Sequence, residues 1–382
     1  MSNKEIKKAF FCEDKGLNFS ALKVWQEIHA KEPTAFVKIR YANQLSVCGY
    51  FSKSIALFAK IDLRRVSKDL WYMKHQYLGT HFLRIGNIKS ARSHYLKSLQ
   101  YKNDSTVPYV FLAKSLVLEN THDESIRVLE SALHKKGDID EVCYNLARRL
   151  VIKGNCALAL KYIEESLNID PNYDLAQSFR NDLVYYISLE NVEMTIVEAV
   201  EMANECEEKG MNFSAMRLLE TVLLKQPTEY RKFLYANQLR LCGYFNKAEE
   251  AFLQVKLHKI PNNKRFIYYN YLSQLYYDKY NWNKAEHEIK KCFKYESTTT
   301  EVYLDYVKFL FKKEKHEEII LFLTKLIDKY EANSEIYYNM AVSALSLDKI
   351  ELALEYVNLC IEKDISYPNA HTLKEDIIIL RS

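Results

Sequence analysis

The chain has 382 residues, 48% of them hydrophobic and 27% charged, with a formal net charge of +4. That is ample apolar material for a large core, and the interleaved charges form no block suited to a polyanion, so nucleic acid is not an expected partner. Only 8 Gly and 6 Pro occur, a depletion that favours helices joined by short turns over sheets and flexible linkers.

Taken from the start, MSNKEIKKAFF lacks the apolar run of a secretory signal. No later segment approaches the roughly 18 apolar residues of a membrane span, so membrane insertion is not expected. Helical hairpins are predicted from about residue 2. Ala9, Cys12, Gly16, Ala21, Trp25, Ile28 and Pro33 mark the first. Ala42, Leu45, Gly49, Phe51, Ser54 and Phe58 mark a second from about 35, and Gly79, Phe82, Gly86, Ala91 and Tyr95 a third from about 72. Ala113, Leu116, Ser125, Leu129 and Ala132-Leu133 mark a fourth from about 106. The clearest unit is 140–173, with Leu146-Ala147, Leu150, Gly154, Ala159, Ile163, Ser166-Leu167 and Pro171. An apolar helix over about 174–188 follows as a cap, because a repeat array must cover its last open face.

The whole set then returns. YANQLSVCGYF at 41–51 becomes YANQLRLCGYF at 235–245, and GLNFSA at 16–21 becomes GMNFSA at 210–215, both at an offset of 194 residues. The register holds without a gap, carrying Tyr144-Asn145 onto Tyr338-Asn339 and Ala176 onto Ala370. Ala203, Ala215, Ala248, Ala285, Ala341 and Ala353 repeat the small positions of the first half, and a second cap helix is expected over about 368–380. Two units depart from the pattern, with Val307 and Ile319 at small-residue places in 300–333 and Tyr280 in place of glycine in 266–299. Ten hairpins in two arrays, 1–190 and 195–382, account for nearly the whole chain. Glu190-Asn191-Val192-Glu193 lies between them as a hinge or as a seam of one continuous solenoid. The absence of Gly and Pro between 172 and 209 favours the seam.

The spacing has physical reasons. Small side chains at matched places let the two helices of a hairpin cross closely, and large ones fill the space beside them. Glycine in the turn tolerates positive φ, and proline after the second helix stops it. The roughly 34-residue period and these residues resemble the tetratricopeptide repeat (TPR) family. The resemblance implies an all-α, right-handed superhelix of about ten hairpins with capping helices, whose concave groove takes a protein or peptide partner.

No catalytic motif is present. Glycine is too sparse for a phosphate-cradling loop, and neither G-x-x-x-x-G-K nor G-x-S-x-G occurs. The ten His show no H-E-x-x-H and no Cys/His cluster of metal-ligand spacing. His122 and His316 match between the halves and read as packing rings. No enzyme activity, metal or cofactor is therefore expected. The eight cysteines include no C-x-x-C pair, and Cys12, Cys48, Cys206 and Cys242 recur at helix positions expected to be partly buried, which fits free thiols and a cytoplasmic location.

The TPR resemblance places three matched pairs on the groove-lining helices: Asn43 with Asn237, Lys114 with Lys308, and Tyr144 with Tyr338. An amide, an ammonium and a phenol in each half would meet a partner segment. The asparagines resemble one element of the clamp with which some TPR proteins bind an acidic C-terminus. Phe10 and Ile39 stand where that clamp needs Asn and Lys. The same asparagines could instead bond the neighbouring hairpin. Asn18, Phe19, Gln44, Cys48 and Tyr50 also return in the second half, either as a tight junction or as a surface used twice. The leading function is a protein-interaction scaffold. The alternatives are an accessory or tethering subunit in bacterial envelope or surface-polysaccharide assembly, a peptide-responsive regulator, or an RNA-binding helical repeat.

Overall fold

The computed structural model describes residues 3–62, 64, 66–190, 192–295 and 299–381. Among them are twenty-two α-helices. In the first half these are α1 (Asn3–Asp14), α2 (Asn18–Lys31), α3 (Ala35–Val47), α4 (Phe51–Ala59), α5 (Lys68–Arg84), α6 (Ile88–Tyr101), α7 (Val107–Leu118), α8 (His122–Glu130), α9 (Ile139–Ile152), α10 (Cys156–Ile169) and α11 (Asp174–Ser188). The second half runs α12 (Ile196–Glu208), α13 (Asn212–Lys225), α14 (Glu229–Cys242), α15 (Phe245–Leu253), α16 (Arg265–Asp278), α17 (Trp282–Cys292), α18 (Thr300–Lys312), α19 (His316–Ile327), α20 (Ser334–Ser346), α21 (Ile350–Lys363) and α22 (Ala370–Arg381). Ten successive helix pairs with one extra helix closing each half match the sequence expectation, and α11 spans the expected 174–188. Of the stretch 190–193, Asn191 lies outside the described residues.

Every turn between paired helices holds one residue with positive φ. Gly16, Gly49, Gly86, Gly154, Gly210 and Gly243 take six of these places, and Asn120, Tyr280, Glu314 and Asp348 the other four, with φ of 55–61°. The tight link between antiparallel helices requires this left-handed residue, whatever its side chain. A Cβ at Gly154 meets nothing within 4 Å, so Gly154→Ala isolates the backbone strain. It should lower stability by about 1 kcal/mol, whereas Asp348→Gly at the matched turn should raise it by roughly a few tenths. Chemical denaturation of the two variants checks this, and a neutral Gly154→Ala would refute the turn geometry.

The small positions are the helix crossings. Ala9, Ala21, Ala42, Ala147, Ala159, Ala248, Ala341 and Ala353 are all fully buried. Where serine replaces alanine, its hydroxyl reports the closeness of the crossing. Ser54 donates to the Ala42 carbonyl (2.7 Å), Ser125 to that of Ala113 (3.0 Å) and Ser273 to that of Ala285 (2.8 Å). Each bond joins the two small places of one hairpin. In the 300–333 unit Val307 and Ile319 are also fully buried, so that crossing is filled by branched side chains.

By contacts the chain groups into two compact units, residues 1–85 with 299–382, and residues 86–298. The first contains α1–α5 and α18–α22, the second α6–α17. In the first unit the last helix packs on the first hairpin. Phe19 of α2 joins the cluster of Ala341, Ala353, Val357, Leu373 and Ile377, while Ile379 of α22 covers Cys12, Leu17 and Ala21. In the second unit α11 packs in the corresponding way, with Tyr185 and Leu189 against Ala203, Cys206, Ala215 and Leu219 of α12 and α13. The duplication thus produces the same joint twice. Residues 1–190 and 195–382 describe the sequence repeat, whereas the contact units describe which segments share a core.

Candidate functional site

Each joint is organised by a buried aspartate. α13 begins at Asn212 without a side-chain N-cap, and α2 begins at Asn18 without one. The cap comes from the neighbouring helix. Asp182 of α11, 3% exposed, accepts from the backbone N–H groups of Phe213 (2.9 Å) and Ser214 (3.0 Å) and from the Ser214 hydroxyl (2.7 Å). Asp376 of α22 accepts from the N–H groups of Phe19 (2.8 Å) and Ser20 (2.7 Å). Burial pushes both carboxyls above the usual aspartate range, and the hydroxyl and N–H donors pull against it. A carboxylate here meets the positive end of a helix dipole.

The first-half junction residues have the same structural character. The Gln44 amide donates to the Asn18 carbonyl (2.9 Å), Cys48 Sγ donates to the same oxygen (3.3 Å), and the Tyr50 hydroxyl donates to the Ser346 carbonyl (3.0 Å). These bonds explain why the residues belong together, as a junction of helices.

Beside the second-unit joint is a pocket of about 280 Å³. Tyr144 and Arg148 of α9, Leu175, Phe179 and Asp182 of α11, Phe213 of α13 and Leu241 of α14 line it. Its volume falls just below the roughly 300–1,000 Å³ typical of small-molecule sites. Tyr144 is fixed by its neighbours. Its ring lies 5.3 Å from Tyr173 and 5.9 Å, edge-on, from Phe179, with the Arg148 guanidinium 5.8 Å from its centroid. Nη2 of Arg148 donates to the Leu241 carbonyl (3.2 Å).

The other five candidate residues occupy varied surroundings. Tyr338, the counterpart of Tyr144, is half-buried 5.3 Å from Tyr367. Lys114 is exposed, and its charge draws down the Glu141 carboxyl that burial has raised. Lys308 is exposed and ion-paired with Asp305 at 2.5 Å. Asn43 is half-buried and makes no side-chain hydrogen bond among the described residues. Asn237 is 7% exposed, and its Oδ1 accepts from Arg240 Nε at 3.0 Å. Arg240 also reaches Asp278 (2.6 Å) and Gln274 (2.9 Å). The first half has Ser46 in place of Arg240, which is why two asparagines in identical sequence settings differ. Asn43, Lys308 and Tyr338 lie in the first unit, and Lys114, Tyr144 and Asn237 in the second.

Sequence reasoning passed over Arg148, Arg149 and Asp182. The aspartate was open to discovery, since Asp182 and Asp376 match at the same offset inside otherwise apolar helices. The arginines stand out by the opposite signal, because the second half carries Val342 and Ser343 in their place. His122 and His316 carry no metal-site signal, and no group of three or more metal-ligating side chains occurs among the described residues. No helix among them is long and apolar enough to cross a membrane.

No protein-family model matches the chain, and no curated protein matches it. Among solved structures it is similar to YrrB, described as a TPR protein with an unusual peptide-binding site, at 19% identity over 46% of this chain and 90% of that one, TM-score 0.34. It is similar to the Cut9–Hcn1 hetero-tetramer of APC/C at 12% identity over 98% and 89%, TM-score 0.42. A human IFIT1 dimer with m7Gppp-AAAA gives 16% over 93% and 80%, TM-score 0.38. The assignment of fold rests on the chain's own features: the left-handed residue in each of ten turns, the small-residue crossings and the two capping helices. By these features the chain is an all-α array of tetratricopeptide-type helical hairpins.

Proposed function

We propose that the protein is a non-enzymatic scaffold that binds an extended segment of a protein partner along its groove-lining helices. The observation that carries this reading is the pocket at Tyr144, which combines aromatic walls, a cation and a size suited to a side chain. Main-chain hydrogen bonds to amides and pockets for alternate side chains are how such surfaces recognise a segment. Asn43, Lys308 and Tyr338 would serve the first unit, and Asn237, Lys114 and Tyr144 the second.

The asparagines give the test. An amide donates and accepts at once, so it suits a main-chain ligand. Affinity capture with the full chain as bait, read by mass spectrometry, identifies the partner. Asn43→Ala with Asn237→Ala should then weaken its binding by roughly 0.5–1.5 kcal/mol per site. The two sites should separate in stability. Asn43→Ala should leave the melting temperature unchanged, whereas Asn237→Ala should lower it by releasing Arg240. Undiminished binding by a folded double variant would refute the assignment of these asparagines to the groove.

A further inference from the structure

Glu13 and Glu207 stand at matched places of the duplication, and only one of them has a counter-ion. In the first unit the Glu13 carboxylate pairs with the Arg40 guanidinium and accepts from Trp25 Nε1 at 2.7 Å. Arg40 also donates to the Tyr77 hydroxyl and lies over the Phe10 ring. The acid comes from α1, the cation from α3 and the phenol from α5.

The second unit keeps the acid and the phenol and loses the cation. Glu207 of α12 and Tyr271 of α16 take the matched places, while Leu234 of α14 replaces Arg40. Leu234 packs on the core of Ala203, Ala215 and Leu219 and brings no donor. Burial and then the charge of Glu207 raise the Tyr271 phenol, so the two groups still act on each other.

The cations around Glu207 are committed elsewhere. Lys209, two residues on, pairs with Glu205 at 2.5 Å. Arg240, whose charge reaches Tyr271, gives Nε to Asn237, Nη1 to Asp278 and Nη2 to Gln274. Burial raises the Glu207 carboxyl above the usual range, and the group that pulls against it is the Gln238 amide. Oε1 of Glu207 accepts from Gln238 Nε2 at 2.8 Å. Oε2 has no hydrogen bond among the described residues and is not sealed from solvent. Gln238 is 3% exposed, and its own Oε1 is buried without a donor. The shortage at this place is therefore of donors, and Glu207 Oε2 is the acceptor open to a ligand. The last turn of α12 makes the shortage worse, because a helix C-terminus carries a partial negative charge of its own.

We infer that Glu207 and Tyr271 form the seat for the guanidinium of an arginine in the bound partner segment. Arg40 is the chain's own pattern for the occupant, a planar cation held by a carboxylate on one side and a phenol oxygen on the other. This rests on the reading of these helices as the surface that receives a segment. A guanidinium presents several N–H donors in one plane, so it can serve the carboxylate and the phenol together. It is also more weakly hydrated than an ammonium, which suits a half-buried site.

The test uses the full chain and two octapeptides labelled with tetramethylrhodamine, one alternating arginine with alanine and one alternating citrulline with alanine. Citrulline keeps the shape of the side chain and removes its charge. Fluorescence anisotropy at low salt reads the binding. Wild type should bind the arginine peptide at least about tenfold more tightly than the citrulline peptide, the effect of one charge-assisted bond. Glu207→Gln should abolish that preference, whereas Glu208→Gln, at an exposed neighbour, should keep it. Leu234→Arg supplies the missing cation from within and should abolish the preference too. No preference in wild type, an equal loss in the Glu207 and Glu208 variants, or a Glu207→Gln chain that fails to fold would overturn the inference. A lysine–alanine peptide that binds more tightly than the arginine peptide would overturn the choice of guanidinium. The asparagine experiment reads partner capture independently, so either reading can fail while the other stands.

Discussion

Asp376→Ala should destabilise the protein by about 3 kcal/mol, and Asp182→Ala should do nearly the same. Among the described residues each carboxylate is the side-chain cap on the first turn of the helix it meets, and each removal strands two backbone N–H groups inside a packed joint, while the serine hydroxyl keeps the backbone carbonyl of residue 376 or 182 as its acceptor. Hydrogen bonds to a charged acceptor contribute roughly 1.5–3 kcal/mol apiece, and an orphaned buried donor keeps its full desolvation cost. The expense of burying the carboxylate itself, visible in its raised pKa, offsets part of that sum. Asn in place of Asp should rescue little, since its NH2 would confront one of the two N–H donors. Denaturant titration measures the loss. Hydrogen exchange at the Phe19 and Ser20 amides should quicken in the Asp376 variant, and at Phe213 and Ser214 in the Asp182 variant. A loss below about 1 kcal/mol would show that apolar packing alone holds these joints.

The second large effect is expected at Glu13. Its carboxylate pairs with Arg40 and accepts from Trp25 Nε1 at 2.7 Å, while Arg40 also donates to the Tyr77 hydroxyl and lies 4.7 Å from the centroid of Phe10. The two side chains of the pair are 13% and 16% exposed. Glu13→Ala leaves the Arg40 cation enclosed by aromatic rings with no counter-charge, a change that typically costs about 3–5 kcal/mol. Removing the charge as well should recover most of it. The second half has Leu219 and Leu234 where the first has Trp25 and Arg40, so Glu13→Ala with Arg40→Leu should be clearly more stable than Glu13→Ala alone. A double variant no better than the single one would refute this account of the network.

The hairpins were legible because their determinants are local. A small residue, a turn residue and a second small residue within one unit fix a crossing, and repetition at a constant period averages out the degenerate copies. Even Tyr280 and Glu314 obey, because the turn demands a conformation before it demands a glycine. The candidate site was less legible, because its properties depend on neighbours supplied by other helices. Asn43 and Asn237 are indistinguishable in YANQL, yet Arg240 closes round only one of them. Tyr144 was found from its place on α9. That Arg148 shares a pocket with Asp182, and that Arg149 is buried beside the end of α14, could be known only once the neighbouring helices were in place. Asp376 could be matched to Asp182 by offset, but the serine it caps lies 356 residues away.

That distance has a consequence for how the protein is made. A ribosome adds roughly 5–20 residues per second. Phe19 and Ser20 are therefore synthesised tens of seconds before the carboxylate that accepts from their amides, at the separation of 357 and 356 residues recorded for the two bonds. The equivalent wait for Phe213 and Ser214 is nil, since Asp182 precedes them by only 31 and 32 residues. The second joint can close during translation, while the first stays open until the closing helix emerges. For that interval Cys12, Leu17 and Ala21 lack the covering side chain of Ile379, and the apolar face of the nascent amino-terminal hairpin stays open to water.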